Sequence, residues 1–204
     1  MSRRLDGVSR PWCVVGGWAL DLWLGSKTRE HDDLEFTVLR EDLGIFRRKL
    51  GSMAFYTVND GVIEPLPADR DPAPEIFQIW CFDRAAGCWR ADMMIEPGTN
   101  DTWVYKRNPE MTRPRIEMVS LSADGIPHLN PSAVLLFKAK HRRTKDEEDF
   151  ARAQPGLPLS ERQWLKTALT AFTRVTIGYR RCDLRPPYCG LVRNSKIAFQ
   201  VRGD

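Results

Sequence analysis

Nowhere in these 204 residues does an apolar run approach the roughly 20 that a bilayer-crossing helix needs, which argues against such a span. The N-terminus, Met1-Ser2-Arg3-Arg4-Leu5-Asp6, is basic but has no apolar segment behind it; no secretory signal is read, and a cytoplasmic protein is expected. The five cysteines are odd in number and contain no Cys-x-x-Cys pair. Without export they are expected to stay reduced. Cys81 and Cys88 flank Asp83-Arg84-Ala85-Ala86-Gly87 and would face each other across a hairpin, with two buried thiols the simpler expectation. No internal repeat is present. Net charge is also small, and the +4 arises within residues 180–204, where six Arg and Lys meet two Asp. The rest of the chain is neutral overall, which leaves a basic tail rather than a broad nucleic-acid surface.

What remains is ordinary globular material, 42% hydrophobic and 28% charged, enough for one sizeable domain or a core with a small appendage. Cys13-Val14-Val15 reads as a buried strand ending in Gly16-Gly17, Trp18 to Leu24 as a mostly buried helix, and Arg29 to Val38 as an acidic strand with its approach loop. Asp42 to Leu50 places Leu43, Phe46 and Leu50 at helical spacing. Pro65, Pro67, Pro72 and Pro74 predict a surface loop over 59–75. Ile76 to Phe82 and Cys88 to Ile95 predict a β-hairpin, with Asp92, Met94 and Glu96 on one face. Trp103-Val104-Tyr105 and Ile116 to Val119 predict short strands separated by a turn at Asn108-Pro109.

Asn130-Pro131 is a helix start, an N-cap followed by proline, and opens Ser132 to His141. Thr144-x-x-Glu147 and Ser160-x-x-Gln163 read as capping boxes of two further helices, the second stapled by Leu159 and Trp164 and running to about Phe172. The expected architecture is α/β (α+β): a mixed β-sheet core flanked by helices over 10–126, a small C-terminal helical cap over 127–175, and a basic tail over 176–204 that is loosely ordered or docked by its aromatic residues.

Asp33 and Glu35, two apart on a strand, are expected to share a face and to stand about 7 Å apart, close enough to grip divalent metal from one side. Asp92, on a neighbouring strand, would supply a third metal-binding carboxylate and act as general base on an acceptor hydroxyl. Asp32 points to the other face if the strand is regular that early. Gly16 and Gly17, between a strand and a helix, would let the backbone approach phosphate. Arg29 and His31 would contact phosphate oxygens, and Lys138 or Lys140 would reach the β and γ phosphates as a point charge. Trp103 or Tyr105 is a candidate stacking ring, against a default of core. Several carboxylates, a glycine turn and placed cations together describe nucleotidyl transfer.

Gly16-Gly17-Trp18-Ala19 followed by Arg29-x-His31-Asp32-Asp33-Leu34-Glu35 resembles the nucleotidyltransferase superfamily that includes polymerase β, and within it the aminoglycoside 2''-O- and lincosamide nucleotidyltransferases. The resemblance covers roughly residues 12–170. It implies a nucleotidyltransferase-like fold, Asp33 and Glu35 as the metal pair and Asp92, in Arg90-Ala91-Asp92, as the third carboxylate. Leu129-x-Pro131 through Lys140, then Lys145-Asp146-x-x-Asp149-Phe150, resembles the segment after the core in such proteins. Glu35 stands where many relatives carry aspartate, the segment before the first strand is short, and the stretch after Phe172 has no counterpart.

The expected function is Mg²⁺-dependent transfer, with two ions, of an NMP group (AMP from ATP, or from another NTP) to a hydroxyl of a small molecule such as an aminoglycoside- or lincosamide-like antibiotic. Asp60, Glu64, Asp69, Asp71 and Glu75 offer acidity to a cationic acceptor. Two alternatives keep the fold: a toxin-type enzyme acting on RNA or protein, motivated by the basic tail, and a relative that binds nucleotide without turnover. Nucleic acid has only that tail in its favour as a partner, and a homodimer is compatible with the apolar surface a small cap leaves.

Overall fold

The computed structural model describes residues 2–140 and 143–180. In chain order the elements are α1 (Ser2–Leu5), β1 (Trp12–Val14), α2 (Gly16–Leu24), β2 (Glu35–Leu39), α3 (Leu43–Lys49), β3 (Met53–Asn59), β4 (Val62–Pro65), β5 (Gln78–Asp83) and β6 (Cys88–Glu96). Then come β7 (Thr102–Val104), β8 (Thr112–Pro114), α4 (Arg115–Met118), β9 (Val119–Leu121), β10 (Pro127–Leu129), α5 (Pro131–Lys138), α6 (Thr144–Ala153) and α7 (Leu159–Arg180). Among the described residues eight strands form one mixed sheet in the order β4-β3-β5-β6-β2-β1-β10-β9, and β7 and β8 pair separately. The sheet is parallel where β2 meets β6 and where β1 meets β10.

Strand alternation sends side chains to two cores. On one face Phe36, Val38, Ile79, Cys81, Met93 and Ile95 pack with Leu43 and Phe46 of α3 and Leu5 of α1. On the other, Cys13 and Leu129 pack with Ala19 and Leu20 of α2, Val134 and Leu135 of α5, and Leu165 and Ala168 of α7. Trp103 and Tyr105 are fully enclosed in this second core, which removes them as free stacking rings. The mixed sheet flanked by helices is the expected α/β architecture. Strand β10, on the cap side of the expected 126/127 boundary, is a member of the sheet between β1 and β9.

Several local expectations change. Residues 59–75 are not all loop: β3 and β4 form a hairpin about Asp60-Gly61, both at positive φ (48° and 81°), the two-residue turn such dipeptides favour. Pro65 is tolerated because it ends an edge strand. Residues 116–118 are helical rather than extended: the turn after Pro114 leaves Ile116 exposed and buries Met118, and only Val119 onward pairs with β10. Asn130 caps α5 as expected, accepting from the Ser132 N–H at 2.9 Å. The capping interaction of α6 falls one residue early, Asp146 accepting from the Arg143 N–H at 3.2 Å. Leu159 is itself the first residue of α7 and 70% exposed, so it makes no staple. Cys81 and Cys88 are free thiols paired in register with Ala91 and Asp83, not with each other. Helix α7 continues to Arg180, and the rest of the basic tail, 181–204, lies outside the described residues. No helix among the described residues is long and apolar enough to cross a membrane.

Candidate active site

The two glycines that open α2 make room for side chains. Gly16 has φ 66°, and a Cβ there would stand 1.8 Å from Glu35 Oε2. A Cβ on Gly17 would stand 2.4 Å from His31 Nδ1 and 2.6 Å from Arg29 Nη2. Neither neighbour is free to give way. His31 Nε2 lies 2.6 Å from Asp21 Oδ2 and its ring packs on Trp18, while Arg29 donates twice to Asp149, at 3.0 and 2.9 Å. Asp21 is a buried acid in an otherwise apolar helix; its Oδ1 also accepts from the Thr28 N–H and hydroxyl, at 3.1 and 2.6 Å, pinning the loop that carries Arg29 and His31.

The parallel pairing of β2 and β6 sets Glu35 directly opposite Asp92, and register partners share a face. Asp33 is not on the strand: β2 starts at Glu35, and Asp33 is exposed in the approach just ahead of it. Asp32 is exposed and pairs with Lys145 at 3.1 Å. Asp92 is buried; its Oδ2 accepts from the Gln78 amide, and its Oδ1 has no hydrogen-bond partner among the described residues. Burial pushes its carboxyl up to about 7, Gln78 pulls the other way, and the neighbouring charges of Glu35 and Asp33 add to the rise. Burial, then Asp33, also raises Glu35, partly offset by Lys138, Arg143 and Lys145.

Beyond β2 basic side chains gather. Arg29, His31, Lys138, Arg143 and Lys145 line a polar cavity of about 220 Å³ with Asp33 and Glu35. Lys138, at the end of α5, bonds Asp146 at 3.0 Å and Asp149 at 2.9 Å on α6. Burial alone would raise both acids; Arg143 and Lys138 outweigh it at Asp146, and Arg29 and Lys138 at Asp149, so each lies below the ordinary range. Lys140 lies past α5 and is exposed. A second cavity of about 290 Å³ adjoins the first through Val15, Glu35, Lys138 and Arg143, and is lined further by Phe77, Met94 and Phe137. Sequence reasoning missed the roles of Asp21 and Gln78: the first was legible as a charge in a buried helix, the second only through register. Asp60, Glu64, Asp71 and Glu75 instead line a separate cavity of about 500 Å³ by β4 that shares no residue with these two.

Among the described residues, no three His, Cys, Asp or Glu side chains already form a cage for an ion. The donor set nevertheless fits a hard divalent cation: it is all oxygen, Asp92 Oδ1 is orphaned, and the paired carboxyls of Glu35 and Asp92 are held high by burial.

A family model for aminoglycoside-2''-adenylyltransferase matches residues 1–152. The chain belongs to that family. As an aminoglycoside-2''-adenylyltransferase family member it is a nucleotidyltransferase of the antibiotic-modifying branch. The match ends within α6, before α7 begins. The solution structure of the antibiotic-resistance factor ANT(2'')-Ia is similar, with TM-score 0.54 and 17% identity over 88% of this chain and 92% of that one. The crystal structure of ANT(2'')-Ia in complex with adenylyl-2''-tobramycin gives 0.52 and 17% over 84% and 94%. At that identity the likeness is one of fold. No curated protein sequence matches the chain.

Proposed function

We propose that this family member transfers AMP from ATP, with Mg²⁺ in a two-ion arrangement, to a hydroxyl of an aminoglycoside-like antibiotic. The observation that carries the reading is the register of Glu35 with the buried, half-orphaned Asp92, beside a cation-lined cavity. Asp33, Glu35 and Asp92 would hold the metal, which when bound neutralises triphosphate charge and makes the acceptor alcohol easier to deprotonate. Lys138, Arg143 and Lys145 face the cavity and would oppose the charge of the triphosphate and departing pyrophosphate. Arg29 and His31 flank the same space, each held by a carboxylate, and Gly16 and Gly17 keep the approach narrow. Asp92 takes the proton of the acceptor hydroxyl at its carboxylate; the freed oxygen bonds the α-phosphorus as the bond to the β-phosphate oxygen breaks.

Pyrophosphate release from Mg²⁺-ATP, measured with tobramycin and with lincomycin as acceptors, tests this. Release with tobramycin is expected to fall at least about 100-fold in Asp33→Ala and in Asp92→Asn. No release with either acceptor, or full release in Asp33→Ala, would overturn the proposal.

A further inference from the structure

Four aromatic side chains of β3, β5 and β6 are claimed by neither core. Trp89 on β6 meets Tyr56 of β3 and Trp80 and Phe82 of β5 edge-on, at centroid distances of 5.2, 5.3 and 5.1 Å, and stays 38% exposed. On the opposite face of the same strands Phe55, Ile79, Cys81, Ala91 and Met93 belong to the core. The solvent face of such an antiparallel segment is ordinarily polar, so an aromatic cluster there marks a contact surface.

The cluster is joined to the active site by register. Tyr56 lies opposite Trp80, Trp80 opposite Asp92, and Asp92 opposite Glu35, one row across four adjacent strands. At about 4.8 Å between strands, the aromatic surface begins one strand from the proposed base. The cation-lined cavity lies on the other side of Glu35, against α2 and α6. Attacking and leaving oxygens are roughly in line in phosphoryl transfer, so an acceptor enters from the side away from the pyrophosphate, which is the side of the cluster. Carboxyl groups border the cluster (Asp92, then Glu35 and Asp33), and Arg90 beside Trp89 is turned to Asp83 at 3.5 Å. An exposed indole backed by half-buried rings, next to carboxyl groups, complements a ring that carries ammonium groups.

We infer that Tyr56, Trp80, Phe82 and Trp89 form the acceptor platform, on which a saturated ring of a polycationic aminosugar lies with its C–H face on the indoles and its ammonium groups toward the carboxylate row. The inference rests on the AMP-transfer reading and adds to it the surface that selects the acceptor.

Saturation-transfer NMR from the protein's aromatic protons to tobramycin needs no turnover and reads the proximity directly. Wild-type protein should show transfer to tobramycin ring protons. Trp89→Ala should weaken tobramycin binding about 3- to 30-fold, Trp89→Phe less, and both should leave the KM for ATP unchanged. Unchanged tobramycin binding in Trp89→Ala, or no tobramycin binding by wild type, overturns the inference. So does a rise in the ATP KM alone, which would make the rings a nucleobase shelf, or a change confined to oligomeric state, which would make them an interface between two copies. Saturation transfer that vanishes in Trp89→Ala, with no pyrophosphate release from wild type, would retain the platform and overturn AMP transfer alone.

Discussion

Asp92 sits in a balance that titration can expose. Its carboxyl, about 7 in the fold against an ordinary 3.8, favours the protonated form, so the stability it contributes is complete below about pH 4 and lost as pH rises through 7. Without divalent cation, thermal stability is expected to fall between about pH 4 and pH 7, and Mg²⁺ to restore more of it at the higher pH. Asp92→Asn should remove that fall, gain about 2–4 kcal/mol at pH 8 and abolish transfer. Differential scanning fluorimetry across this range checks the stability changes and pyrophosphate release the last, and a flat wild-type profile would contradict the account. At Gly17 the constraint is steric. Gly17→Ala pushes a methyl into His31 and Arg29, both anchored, and should cost about 1–3 kcal/mol in urea unfolding together with most of the activity.

Between elements, α6 is tied to the phosphate side of the site by charge. Asp146 and Asp149 lie three apart and so share a helix face, from which Asp149 reaches Arg29 ahead of β2 and Lys138 on α5. Removing it takes from Arg29 the carboxylate it donates to twice and leaves Lys138 with Asp146 alone; Asp149→Ala should destabilise by about 3–5 kcal/mol and raise the KM for ATP, checked by denaturant melts and initial rates. Helix α7 is tied differently: Glu161 accepts from Arg113 on β8 at 3.0 and 2.9 Å and from the Ser132 hydroxyl at 2.6 Å. Glu161→Ala should cost about 1–3 kcal/mol and loosen 159–171 ahead of the sheet, which amide hydrogen exchange would resolve. At this scale the chemistry was readable where it is local. The Asn130-Pro131 start of α5 and the amphipathic α3 follow from spacing alone. The β3–β4 hairpin carried its own signal in Asp60-Gly61, masked by the prolines that follow. The α4 turn carried none, because Ile116 to Val119 is as apolar as a strand and only the pairing with β10 decides where extension begins.

At the largest scale the described residues form a sheet with a core on each face, and the candidate site occupies the stretch where one core gives out. Helices α2, α5 and α7 cover the β1 and β10 side, and the row that continues through Asp92 to Tyr56 stays outside both cores. The residue types were in the chain from the start: a glycine pair before a buried helix, acids at 33, 35 and 92, lysine at 138, and alternation enough to imply a mixed sheet with flanking helices. Period-two and 3.6 patterns are local properties, so they can be read without knowing where the chain goes next. Register is not local. That Glu35 faces Asp92 across parallel strands, that Asp33 precedes the strand, that Asp149 holds Arg29, and that four aromatics meet on the uncovered face are set by which segments pair over long separations. A slip of one residue would turn the strand side chains among these to the opposite face, and only the packing of both cores selects the pairing that is seen.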